Sequence, residues 1–281
     1  MNMMQRPIQG LPPSFHETFF PDRRHLSALL KLAKSGYDGT IDAISADTGI
    51  PTGKSSGKVV PHLKYAHAMG ITTTSAVSDG AYTLHLTPLG RLLAVEDPLL
   101  HEPLTQLILH LMLSRPVGGA SAWHVFFGRS RLALGRSSTV EAATSFLVQE
   151  LGNSSSLPGP LFSTYREEAS LARTGMLAVD KDAISRGALP LREEFYWAYA
   201  YCWLTYWDQT MPGVQQLPLS ELEAFSRFFE GSGWTDQAVD DFLAWTTAQG
   251  ITRVDRQTGT PLVMKIKRSD ELTASIYSEL L

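Results

Sequence analysis

Lys54, Lys58, His62, Lys64 and His67 lie in a stretch, Thr48 to Ser78, that contains no carboxylate, although the chain carries a formal net charge of -4. Such a stretch keeps local positive potential on a mildly acidic protein, and the chemistry that potential suits is phosphate binding. Lys54, Ser55, Ser56 and Lys58 fall in a turn and at the start of a helix, where free backbone N–H groups also attract anions. Gly49-Ile50-Pro51-Thr52-Gly53-Lys54-Ser55 resembles a nucleotide-binding P-loop but has three residues between its glycines where that loop needs four, and what precedes it reads as helix, not strand. What remains is a turn suited to a DNA phosphate, with a solvated turn as the plain alternative.

The other chemistry-bearing residues are less focused. His62-Leu63-Lys64 starts like a phospholipase-D-type nuclease motif, but Met69 stands where its aspartate should be. The eight histidines are scattered, and His62 and His67 are five apart, which does not align two metal ligands on one helix face. Metal-dependent DNA cleavage needs convergent carboxylates. Pro21-Asp22 lacks the acidic-x-lysine partner of a nuclease motif, so the candidates are Glu17 and Asp22, with Arg23 and Arg24 beside them. Near the C-terminus, Arg253, Arg256, Lys265, Lys267 and Arg268 have Asp255 as counter-charge among them and form either a second phosphate contact or a solvated hairpin edge. Tyr196, Tyr199, Trp203, Tyr206 and Trp207 recur at helical spacing and read as packed core.

Positioning these residues requires a recognisable series of elements. Asp22 caps a helix from Arg23 to about Lys34 that Gly36 stops. Thr40 to Thr48 is a second helix, Gly49 to Ser56 a turn, and Lys58 to Met69 a third helix with Val59, Leu63, Ala66 and Gly70 inward and Pro61, Lys64 and Ala68 outward. Ile71 to Ala76 and Ala81 to Leu86 pair through Val77-Ser78-Asp79-Gly80, because Asp-Gly supplies the positive-φ turn. This pattern is a winged helix-turn-helix, in which the last helix enters a DNA groove and the hairpin lies along the backbone. Thr87-Pro88 opens a further helix, and Leu104 to Leu113 and Glu141 to Gln149 add two more. The run Gly152 to Pro160 is the expected boundary, dividing the chain into 1–152, the winged-helix domain with its packing helices, and 153–281, a helical domain ending in a basic hairpin. Helices follow at Thr164 to Arg173, Arg192 to Trp207, Ser220 to Glu230 and Asp236 to Ala248. Gly250, Ile251 to Arg256 and Leu262 to Ile266 repeat the helix, glycine, hairpin order, which reads either as a second winged-helix-like unit or as ordinary C-cap chemistry.

The bulk composition sets outer limits. With 281 residues, 43% of them hydrophobic, the chain can bury one large core or two moderate ones. Cys202 is the single cysteine, which rules out an intramolecular disulfide and fits a reducing cytoplasm. No apolar run is long enough for a signal sequence or a membrane span, and a pI near 6.1 argues against nonspecific coating of nucleic acid.

The segments Phe15-His16-Glu17-Thr18-Phe19, Thr48 to Ser55, Val60 to Gly70 and Tyr165 to Met176 together resemble the SspB-like DNA nickase family, encoded beside phosphorothioate DNA modification genes in bacteria. The resemblance implies a protein that nicks one strand of double-stranded DNA in a modification and anti-phage defence system, alongside sulfur-transfer and ATPase proteins, with a divalent cation as the default cofactor. It carries no catalytic signature over to individual residues. Taken together, these readings give a mainly α-helical DNA-binding protein; the alternative to a nickase is a noncatalytic winged-helix regulator or adaptor.

Overall fold

The computed structural model describes residues 9–53, 57–77, 80–152, 157–257 and 259–280, and the architecture is mainly α. The chain opens with β1 (Gln9–Leu11) and the helix α1 (Arg23–Leu32), which starts at Asp22 because that carboxylate accepts a hydrogen bond from the free N–H of Arg24. Leu26, Leu29 and Leu30 are its buried stripe. A 3-10 turn ends at Gly36, and β2 (Tyr37–Thr40) leads into α2 (Ile41–Thr48), for which the Thr40 hydroxyl is the cap. Gly49 ends α2 at a φ of 71°, which glycine adopts without strain. Next come α3 (Val59–Ala68) and the hairpin β3 (Thr72–Ala76) and β4 (Ala81–Leu86), in which Thr72 faces Leu86 and Ala76 faces Tyr82. Ser78 and Asp79, expected at its turn, lie outside the described residues.

β2 adds to the other edge of β4, so the sheet runs β2-β4-β3. The middle of the chain is α4 (Pro88–Glu96), α5 (Pro103–Ser114), β5 (Val117–Ala120) and α6 (Ser121–Gly128). α5 is buried from Leu104 to Ser114 and α6 along its whole length, their few polar side chains included, so both sit at the centre of the core. β5 pairs in parallel with β1.

The same series then returns twice. First come α7 (Ser130–Leu134), β6 (Ser137–Thr139), α8 (Val140–Leu151), α9 (Gly159–Arg166), β7 (Leu177–Asp180) and β8 (Ala183–Arg186), with sheet order β6-β8-β7. Then follow α10 (Tyr196–Thr210), β9 (Gln216–Pro218), α11 (Leu219–Ser226), α12 (Phe228–Ser232), α13 (Asp236–Ala248), β10 (Thr252–Asp255) and β11 (Leu262–Lys265), with β11 between β9 and β10. In each unit a short strand ahead of the helices joins the outer edge of a later hairpin.

The joints match residue by residue. Gly70, Gly175 and Gly250 all have positive φ, and Ile71, Met176 and Ile251 after them accept, through their carbonyls, N–H groups from the far side of the hairpin: Thr87, Gly187, and both Ile266 and Lys267. The hairpin near the C-terminus was expected; the middle unit was not. Its β6 and β8 pair across the expected boundary at 152/153, so the Gly152 to Pro160 run connects α8 to α9 inside that unit. Arg23 ties the first unit to the second, its guanidinium donating to the carbonyls of Leu100, Glu168 and Ser170.

The aromatic run of α10 is core: Tyr199, Trp203, Tyr206 and Trp207 are all buried. No helix among the described residues is long and apolar enough to cross a membrane.

Candidate functional site

α1 and α3 pack with their N-terminal ends together, and this brings Asp22, Arg24 and His25 against Lys58 and His62. His62 is buried on α3, its Nδ1 2.7 Å from the Lys58 carbonyl and its Nε2 3.2 Å from the Asp22 amide. A carbonyl can only accept and an amide N–H can only donate, so the His62 proton sits on Nδ1 and Nε2 is the acceptor. His25 Nδ1 lies 3.3 Å from that same His62 Nε2. It must therefore be the donor, which leaves the lone pair of His25 on its Nε2. The two rings are 4.6 Å apart, nearly perpendicular.

Burial pushes the His62 pKa down to about 4. Burial also lowers that of His25, against the charge of Asp22. Both rings are thus neutral at pH 7. For Asp22, burial alone would raise the pKa, but the hydrogen bonds from Arg24 reverse this and hold the carboxyl below its usual range. The site therefore offers a neutral, half-exposed imidazole base with cations on either side. The Lys58 ammonium is 5.7 Å from the Phe19 ring centroid, and Arg24 is largely exposed. α3 has no side-chain cap, so its first-turn N–H groups add to the positive potential.

The expected residues divide accordingly. Lys54, Ser55 and Ser56 lie outside the described residues. Asp22, Arg24 and Lys58 converge as above. Asp22 is fully engaged, Oδ1 accepting from the Arg24 amide and Nε and Oδ2 from its Nη2. Glu17 is exposed and holds a φ of 55°, a strained conformation for a residue with a side chain. Arg23 is a buried clamp on three carbonyls and not a surface cation. Lys64 is half-buried on α3, and Pro61 and Ala68, expected outward, are buried. At the C-terminal hairpin Arg253 is exposed, Arg256 donates to Asp240 on α13 at 2.7 Å, and Lys265 is buried beside Trp207 and bonded to Asp208. With Arg268 paired to Asp270, three of that cluster's five cations are thus neutralised inside their own unit.

α3 itself departs most from expectation. Seven of its ten residues are buried. The Phe15 to Phe19 segment and α6 cover it: Tyr65 stacks edge-on against Phe15 at 4.8 Å, meets Trp123 at 6.0 Å, and donates its hydroxyl to the Phe19 carbonyl. A helix packed on this many sides is not free to enter a groove. Among the described residues no group of three or more His, Cys, Asp or Glu is placed to hold a metal ion, and both Asp22 oxygens already accept hydrogen bonds from Arg24.

The chain is similar to two solved structures. A crystal structure of SspB superposes with a TM-score of 0.71 at 16% identity, covering 97% of this chain and 89% of that one. Magnesium ion-bound SspB gives a TM-score of 0.71 at 17% identity, with 97% and 88% covered. At this identity the likeness establishes a shared fold along almost the whole length of both. No family model and no curated protein matches the chain.

Proposed function

We propose that this protein binds double-stranded DNA through its first unit and cuts one strand, acting as the nicking component of a phosphorothioate modification and defence system. The observation that carries the reading is the convergence of Asp22, Arg24, His25, Lys58 and His62 at the joined ends of α1 and α3. The series α1-β2-α2-α3-β3-β4 with sheet order β2-β4-β3 supports a winged helix-turn-helix. The likeness to SspB across 97% of the chain supports the system it serves, in which sulfur-transfer and ATPase proteins would be its partners.

Because α3 is covered, DNA contact falls to the segment Gly49 to Gly53, the start of α3 and the exposed hairpin. These are backbone contacts, which position a duplex without reading its sequence. Lys58 and Arg24 offset phosphate charge. His25, its proton held on Nδ1, takes the proton of the attacking water or hydroxyl on Nε2 and leaves charge development on the phosphate to the neighbouring cations. His62 holds the tautomer and orientation of His25. The residues present do not form a preassembled cage for a divalent cation; magnesium commonly binds through one or two carboxylates together with substrate phosphates and water, and Glu17 is the exposed carboxylate nearest in sequence.

The test is conversion of supercoiled plasmid to open circle. His25→Gln should lower the nicking rate by about 10²–10⁴ while leaving duplex affinity intact. A protein that binds plasmid yet leaves it supercoiled, across divalent metals and with its partner proteins present, is instead an adaptor, a reading that the missing metal cage among the described residues favours.

A further inference from the structure

A second site lies where the first and third units meet over the α5 to β5 corner. A cleft of about 620 Å³ opens between the α3 to β3 corner, the α5 to β5 corner, the C-terminal end of α10 and the 3-10 segment after β11. Arg115 lines it and is only 5% exposed. Its Nε donates to the Val117 carbonyl at 2.8 Å and its Nη2 to that of Gly118 at 3.3 Å, but Nη1 has no acceptor among the described residues.

Among the described residues no carboxylate pairs with this charge. The groups that act on it are Tyr206, Tyr201 and Cys202, and burial pushes the pKa of all three upward, so they are neutral. An arginine buried without a counter-ion is costly unless an anion joins it. Gly70 and Gly118 leave the guanidinium open: a Cβ at Gly70 would sit 2.8 Å from Met112 Cε, and one at Gly118 3.0 Å from Arg115 Nη2.

Two further donors line the same cleft. His67 Nδ1 accepts from the Thr74 amide at 3.2 Å, so its proton is on Nε2. Tyr201 is buried with its hydroxyl beside the Thr205 side chain, which also lines the cleft, so the hydroxyl can turn its proton toward a bound anion. The carboxylates across the cleft are already engaged: Asp208 by Lys265 and Ser269, Asp270 by Arg268.

We infer that this cleft binds a phosphate group, with Arg115 as its charge partner and His67 and Tyr201 as hydrogen-bond donors. Its volume suits a mononucleotide. The same phosphate chemistry could be presented by a free nucleotide or by the 5′-phosphate of a DNA strand. The inference does not depend on the nicking reading.

Thermal unfolding of the full chain tests it, in chloride and in inorganic phosphate at matched ionic strength. Phosphate at about ten times its Kd should raise Tm by about 2–4 °C. Tyr201→Phe keeps the ring and removes the hydroxyl, so it should stay folded in chloride, with at most a small loss of Tm from its contact with Thr205, yet weaken phosphate binding about tenfold. Arg115→Met should lose the phosphate shift altogether. Titration with dAMP, and with short oligonucleotides with and without a 5′-phosphate, separates the sources. Tight dAMP binding identifies a free nucleotide, and binding only of the phosphorylated oligonucleotide identifies a strand end. No shift in the parent, or the same shift in parent and both variants, overturns the site.

Discussion

Lowering the pH from 6 to 5 should remove a large part of the stability of this protein, because of histidines far from any surface. Burial holds His110 near a pKa of about 3, and His62 and His124 near about 4, against an ordinary 6.5. A ring with a lower pKa in the folded chain binds fewer protons there than in the unfolded chain, so acid favours unfolding from 6.5 down to the folded value. Glu223 opposes this. It is buried under the amides of Phe229 and Glu230, and burial raises its pKa from 4.5 to about 7, so in the same window the folded chain holds a proton that the unfolded chain has lost.

Three rings against one carboxyl leave an excess of about two protons on the unfolded chain near pH 5.5, or about 2.7 kcal/mol of stability per pH unit. A total of about 5–15 kcal/mol is typical, so one unit is a substantial fraction. Urea unfolding at a series of fixed pH values reads the slope directly. His110→Gln keeps a hydrogen-bonding group beside Tyr165, whose hydroxyl is 2.6 Å from His110 Nδ1, and should reduce the slope by about 1.4 kcal/mol per unit. A parent slope below about 1 kcal/mol per unit, or an unchanged slope in that variant, would refute the assignment of neutral buried rings.

Gly90→Ala and Gly187→Ala test how tightly the first two units pack around their glycine joints: each added Cβ would lie 2.0 Å from a backbone carbonyl oxygen, of Ile71 or Gly175, and each should cost about 3 kcal/mol by calorimetry or urea unfolding. Lys58→Ala should weaken binding to duplexes of every sequence and reduce the slope of log affinity against log salt by about one, as filter binding or fluorescence anisotropy would show; an unchanged slope removes Lys58 from the interface. Arg23→Met leaves the three carbonyls that Arg23 clamps without their donor and should destabilise the fold by about 2–4 kcal/mol, with no effect on the salt slope of DNA binding.

How much of this could be read from the residues depended on whether the signal was local. Caps were legible: Asp22 and Thr87-Pro88 stand where α1 and α4 begin, and α13 has the expected bounds. Strands β2, β6 and β9 were not, because they span three or four residues and acquire a partner only when a hairpin much later in the chain folds onto them. Without β6 the middle repeat stayed hidden, without β9 the C-terminal one stayed an open alternative, and the small-residue run at 152–160 looked like a boundary. The His25 and His62 pair was missed because ligand spacing was judged along one helix, whereas this pair spans two helices and 37 positions. The packing of α1 on α3, implicit in the expected fold, was the signal that could have found it. Nothing in α3 announced that the Phe15 to Phe19 segment would cover it.

The parallel pairing of β1 with β5 has a consequence for synthesis on the ribosome. The sheet of the first unit joins only residues from Tyr37 to Leu86, so it can close as soon as that stretch leaves the exit tunnel. β1 is made first, yet Gln9 cannot find Val117 until the whole first unit and α5 have followed. Throughout that interval the nascent N-terminal strand has an unpaired edge. β1, made before the first unit, is thus fixed only after it, and a chaperone that shields newly made strands would find its target there.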